Sequence, residues 1–101
     1  MLNSKQRAYL RSLANTIATI LTVGKGGIDD DVVKQADDAL TARELIKGKV
    51  LETAPVKAKE AADRVASETS AETVQVIGSK FILYRRNEKE AKISLPKAHK
   101  K

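Results

Sequence analysis

With 101 residues the chain has room for one domain and a single modest core. Its 42% hydrophobic residues come in short runs, none near the about eighteen needed to cross a bilayer, and no basic-then-apolar leader opens it, so membrane insertion and secretion are not expected. Zero cysteines exclude disulfides and thiolate metal sites and fit a reducing compartment, with the cytoplasm as default, while a net charge of +6 favours a nucleic-acid partner over a merely solubilising surface with a disordered basic tail.

The first predicted element is a helix from Ser4 to about Asn15. Tyr9, Leu10, Leu13, Ala14 and Ile17 share one face and are expected in the core, Lys5, Arg7 and Arg11 lie on or beside the opposite face, and Asn3 or Ser4 caps the start. Ile20-Leu21-Thr22-Val23 reads as a short buried strand ending at glycine. After the loop V-G-K-G-G-I-D-D-D, Asp29 or Asp30 caps a second helix whose stripe is Val32, Val33, Ala36 and Leu40 and which ends near Ala42. A second strand, Leu45 to Leu51, puts Lys47 and Lys49 on one side by alternation.

Thr53 is the expected cap of a third helix with Pro55 in its first turn, and Ala58, Ala61, Ala62, Val65 and Ala66 give it a shallow stripe that lies close to a sheet. Thr73–Ile77 and Phe81–Arg85 are strands joined by the tight connection Gly78-Ser79-Lys80. The order α-β-α-β-α-β-β predicts two parallel crossovers and a terminal antiparallel hairpin: an α/β two-layer sandwich with a four-stranded mixed sheet. One domain spans residues 2–86, and 87–101 form a basic, flexible tail.

Charge is unevenly spread along this order. Residues 1–27 hold four bases and no acid, residues 28–45 six acids against Lys34 and Arg43, residues 46–72 five of each, and residues 73–101 eight bases against Glu88 and Glu90. A basic surface of this kind meets nucleic acid through phosphate neutralisation. The glycine loop sharpens that reading. Asp29 stands where a dinucleotide fingerprint needs its third glycine, and no Walker sequence is present. A plain strand-to-helix turn needs one glycine, or two, for positive φ. Gly24, Gly26 and Gly27 with Lys25 at the tip exceed that need and read as Gly-x-x-Gly, a bare backbone that a nucleic-acid strand can approach, as in KH domains.

In order and spacing these pieces resemble the CRM domain (chloroplast RNA splicing and ribosome maturation) in its stand-alone bacterial form, the YhbY-like proteins. The matching stretches are L-N-S-K-Q-R-A-Y-L-R-S-L-A, V-G-K-G-G-I, E-L-I-K, V-Q-V-I-G and I-L-Y-R, covering about residues 2–86. The resemblance implies an RNA-binding domain similar in fold to the C-terminal domain of bacterial translation initiation factor three. It implies ribosomal RNA in large-subunit precursors as partner and a role in large-subunit assembly. Independently of it, a monomer with no cofactor and no small-molecule substrate is expected. The binding residues it implies are Gly24, Lys25, Gly26 and Gly27 in the loop, Lys5, Arg7 and Arg11 on the first helix, Lys47 on the second strand, and Tyr84 and Arg85 on the last. Gly48 departs from the β-branched residue expected after E-L-I-K; it weakens the strand or marks a bulge, and it bears on where Lys47 points.

Other functions fare worse. His99 lies in the tail, and without cysteine a nucleophile would be Ser or Thr lacking a positioned base, so no enzyme is expected. Asp29, Asp30 and Asp31 are adjacent and point apart on a helix, which suits capping and not metal binding. Tyr84 reads equally as a base-stacking or a packing residue. Lys89–Lys101 is a solvated end or an RNA-grasping arm. Two alternatives remain: a non-specific basic nucleic-acid binder, although the acidic second helix suits no groove, and a protein-interaction adaptor, which needs an exposed apolar patch.

Overall fold

The structure is a computed structural model describing residues 2–86. Its elements follow the expected order: α1 (Ser4–Ala14), β1 (Thr19–Val23), α2 (Asp30–Arg43), β2 (Leu45–Val50), α3 (Ala58–Thr69), β3 (Glu72–Ile77) and β4 (Lys80–Tyr84). Residues 87–101, and with them the expected tail and His99, fall outside the described residues.

Local chemistry accounts for most boundaries. The Asn3 side chain accepts from the Gln6 amide at 2.8 Å while the Gln6 side chain accepts from the Asn3 amide at 3.1 Å, a capping box that fixes the start of α1. Asp29 caps α2 by accepting from the Val32 amide at 2.9 Å, and Asp30 and Asp31 occupy the first turn, where the macrodipole favours negative charge. α2 ends at Glu44, a buried residue at φ 68° whose amide donates to the Leu40 carbonyl and whose carbonyl accepts from the Arg85 amide. The start of α3 differs from expectation. Lys57 takes the cap position without a side-chain bond, and Thr53 and Pro55 belong to the loop before it. Pro55 is instead packed against the glycine loop.

The sheet order is β1-β2-β4-β3. β1 and β2 pair in parallel across the α2 crossover, while β4 is antiparallel to both β2 and β3. The α3 crossover therefore also returns parallel to β2, but one slot away, and β4 fills the gap. α2 and α3 cover one face, burying Leu21, Val23, Ile46, Val50, Phe81 and Leu83 against Ala36, Leu40, Ala61, Ala62 and Val65. These elements make the expected two layers. α1 lies on the opposite face, where Leu10 and Ala14 meet Leu45, Val74, Ile82 and Tyr84, and adds a partial third layer. Tyr9 leaves that contact: it is 38% exposed, outside the core predicted for it.

Gly48 is explained by packing and not by a bulge. A Cβ built there would sit 2.3 Å from Cζ of Phe81, so the ring occupies the space a side chain would need. The pairing irregularity between β1 and β2 lies on β1, between Thr19 and Leu21. Lys47 thus keeps its regular direction, toward the α1 face.

Candidate nucleic-acid interface

β1 buries Val23 and then leaves the sheet at its carboxyl end, beside the loop that follows β2. The Gly27 amide donates to the Gly24 carbonyl at 2.9 Å, closing a four-residue turn with Lys25 and Gly26 exposed at its tip. The three glycines have different roles. Gly27 has φ +70°, and a Cβ there would come within 3.0 Å of Pro55 Cγ, so the fold itself requires glycine. Gly24 and Gly26 lie outside the left-handed region, and a Cβ would meet only Leu51 Cδ1 at 3.6 Å or Asp29 Oδ2 at 3.5 Å, ordinary contacts. Nothing in the fold calls for glycine at either position. The turn's two flanks also differ: a carboxylate stands beside Gly26 and an apolar side chain beside Gly24.

The other predicted residues divide. Lys5 is exposed on α1, Arg11 and Lys47 are half-buried, and Lys47 shares its sheet face with α1. Arg7 is tethered: Nη1 donates to the Thr73 carbonyl at 2.6 Å, and Nη2 lies 3.6 Å from Glu72, which docks α1 onto β3. Tyr84 is withdrawn from the surface, and the half-buried Arg85 is engaged by other elements of the fold. Tyr84 is 5% exposed in the cluster under α1, so neither ring face is open to a base. Burial, and secondarily the charge of Glu44, push its phenol above its ordinary pKa, and its buried hydroxyl has no hydrogen-bond partner. The Arg85 guanidinium donates to Asp37 Oδ1 at 2.6 Å, the Asp37 carbonyl at 3.0 Å, the Thr69 carbonyl at 2.8 Å and Thr41 Oγ1 at 2.8 Å. With its donors committed to α2 and α3 by these bonds, most of them at the surface, it fastens the fold. Two lysines were missed as members of one group: Lys49 and Lys80 are register partners on neighbouring strands. Alternation places Lys49 with Lys47, but nothing local reveals the pairing with Lys80.

Among the described residues no group of three or more acidic or histidine side chains is placed to hold a metal ion, and no helix is long and apolar enough to cross a membrane. Fold and site together define a class: small basic α/β domains organised around a bare glycine turn at the carboxyl end of paired parallel strands. The sequence model of the CRS1 / YhbY (CRM) domain matches residues 2–85, and the chain belongs to that family. It is 38% identical over 96 residues to a Bacillus subtilis protein named "Probable RNA-binding protein YqeI", covering 95% of this chain and 100% of the relative. It is 35% identical to a Haemophilus influenzae protein named "RNA-binding protein", covering 95% and 96%. A Staphylococcus aureus protein whose solution structure is described as that of a candidate RNA-binding protein superposes with a TM-score of 0.79 at 47% identity, covering 95% of this chain and all of that one. These relatives carry RNA-binding descriptions and no enzyme names.

Proposed function

We propose that this protein binds RNA at the Gly24–Gly27 turn and the cations around it, and that as a cytoplasmic monomer it serves assembly of the large ribosomal subunit by holding ribosomal RNA. The observation that carries the binding site is the pair of glycines the fold does not need: Gly24 and Gly26 keep the backbone bare where a strand can approach, with Lys25 beside them. The relatives' RNA-binding names support RNA as the polyanion. The ribosomal role rests on the resemblance to the stand-alone family members. Lys5 and Arg11 add positive charge on α1, which docks at the Tyr84 end of the sheet and not at the turn, and binding of this kind is governed by phosphate contacts and shape.

The test is affinity for a large-subunit ribosomal RNA fragment at two salt concentrations, for the native protein and for Lys25→Gln with Gly26→Ala. The variant should keep its circular dichroism spectrum, bind about tenfold more weakly, and show a salt slope shallower by roughly 0.7. Unchanged affinity in the folded variant would remove the turn from the site. Equal affinity for an unrelated RNA of the same length would sink the ribosomal part and favour a non-specific binder.

A further inference from the structure

The open half of the sheet face beside α1 carries a row of side chains that the glycine turn does not account for. Register places Thr22 of β1 beside Lys49 of β2, Lys49 beside Lys80 of β4, and Lys80 beside Ile77 of β3. Each strand thus contributes one residue to a line across the sheet. The next line toward α1 is Thr19, Lys47, Ile82 and Gln75, and there Ile82 is already buried in the α1 cluster. Beyond it the cover stops: Thr22 and Lys80 are exposed, Lys49 is half-buried, and Ile77 is 61% exposed.

Lys49 and Lys80 face each other directly, an arrangement that destabilises a sheet when the charges are alike. The ion pairs among the described residues join Arg7 to Glu72, Lys34 to Asp38, Lys59 to Asp63 and Arg85 to Asp37, and none reaches Lys47, Lys49 or Lys80. A single acid at position 80 would turn the repulsion into a cross-strand ion pair, yet the chain holds lysine there. The row also adjoins the turn. Thr22 lies two residues before Gly24, and Leu51, two residues after Lys49, packs at 3.6 Å from the Cβ position of Gly24. On the turn's other flank the Asp29 carboxylate, with Asp30 and Asp31 behind it, repels a phosphate chain. A polyanion on the turn is therefore steered to the Gly24 side.

We propose that Lys49 and Lys80, with Lys47 behind them, form a phosphate-binding row on which an RNA strand leaving the glycine turn runs across the open half of the sheet. This rests on the RNA reading above and extends it from a loop contact to a two-part track. Charge complementarity and continuity with the turn select the occupant: a nucleic-acid backbone fits lysines two residues apart along β2 and opposed across β4, whereas an apolar partner would leave them unpaired and buried.

The experiment compares the native protein with Lys80→Glu and with Lys59→Glu, each changing net charge equally, for the same ribosomal RNA fragment at two salt concentrations, with thermal unfolding in parallel. Lys59 sits on α3, on the far side of the sheet, paired with Asp63 at 2.8 Å. Lys80→Glu is expected to raise the unfolding midpoint, because an opposite-charge pair replaces a like-charge one. It should also cut RNA affinity by about tenfold or more and make the salt slope shallower by roughly 0.7 for each phosphate no longer neutralised. Lys59→Glu should cost only about two- to threefold in affinity through net charge. Equal losses in the two variants would overturn the row. So would undiminished binding by Lys49→Gln with Lys80→Gln, which removes both charges without reversal and serves if Lys80→Glu does not fold. If native protein binds but loses affinity only with the turn variant, the row alone fails; if native protein binds no RNA, the RNA reading fails and the row with it.

Discussion

At Gly48 one missing side chain decides how the sheet packs. Phe81 is fully buried and its ring fills the volume over β2 that any Cβ at 48 would claim, at 2.3 to 2.9 Å from three ring carbons. Gly48→Val is therefore expected to destabilise the protein by about 1–3 kcal/mol through overpacking, seen as a lower urea midpoint with unchanged slope. Phe81→Leu in the same chain should recover part of the loss, since contacting residues couple in a double-mutant cycle. The sequence marks Gly48 as unusual but not why: a glycine in a strand signals a bulge or a close approach, and the choice depends on which residue of β4 lands opposite. Tyr84 shows the same limit. Alternation puts it with Lys80 and Ile82 on one face, and only the docking of α1 at that end of the sheet turns one end of the row into core and leaves the other wet.

Between elements, two arginines act as fasteners. Arg7 joins α1 to β3, and Arg85 ties the end of β4 to the side of α2 and the last turn of α3. Arg85→Ala leaves the Thr69 carbonyl and the Asp37 carboxylate without this donor and is expected to cost about 2–3 kcal/mol in chemical denaturation. Arg85→Lys should recover the minor part, because an ammonium cannot span Asp37, Thr41 and Thr69 at once. RNA affinity per folded molecule should stay near native in both, and a clear fall there would return Arg85 to the interface. Helices and strands were largely legible from periodicity and caps: Asn3 and Asp29 cap as read, and the element order matches. The start of α3 was not, because Pro55 satisfies a rule for helix starts while packing against a loop distant in sequence. The turn itself was visible as Gly-x-x-Gly; which of its glycines the fold requires was not, because that depends on Pro55.

On the scale of the whole molecule, charge segregation along the chain becomes segregation by face. The acidic second segment lies on α2, where Asp29, Asp30, Asp37 and Glu68 of α3 line a cleft with Lys34 and Arg64. Lys47, Lys49 and Lys80 occupy the opposite side of the sheet, so an approaching polyanion meets a molecule with one attractive side. α1 sits on that side, and Tyr84 beneath it adds an alkaline pH dependence to the stability of the fold. Because the folded state raises the phenol's pKa, the neutral form is the one it favours; that stability is fully present below the ordinary tyrosine value of about 10 and is lost as pH climbs through the raised one. Tyr84→Phe removes both this loss and the unpartnered hydroxyl. Its unfolding midpoint should equal or exceed the native one near neutrality, and the gap should widen above about pH 10; a parallel decline of the two proteins would rule Tyr84 out as the cause.

The contact between Gly27 and Pro55 reaches further than its 3.0 Å. One end of the glycine turn is braced by a proline from a separate loop and by the cap of α2, while its tip remains free. The turn is thus not a portable cassette. Moved to another scaffold as V-G-K-G-G-I, it would carry its sequence but leave its anchor behind. An engineered version that keeps this brace must transplant the β2–α3 loop with it, because the two stretches, some thirty residues apart in the chain, meet at one contact.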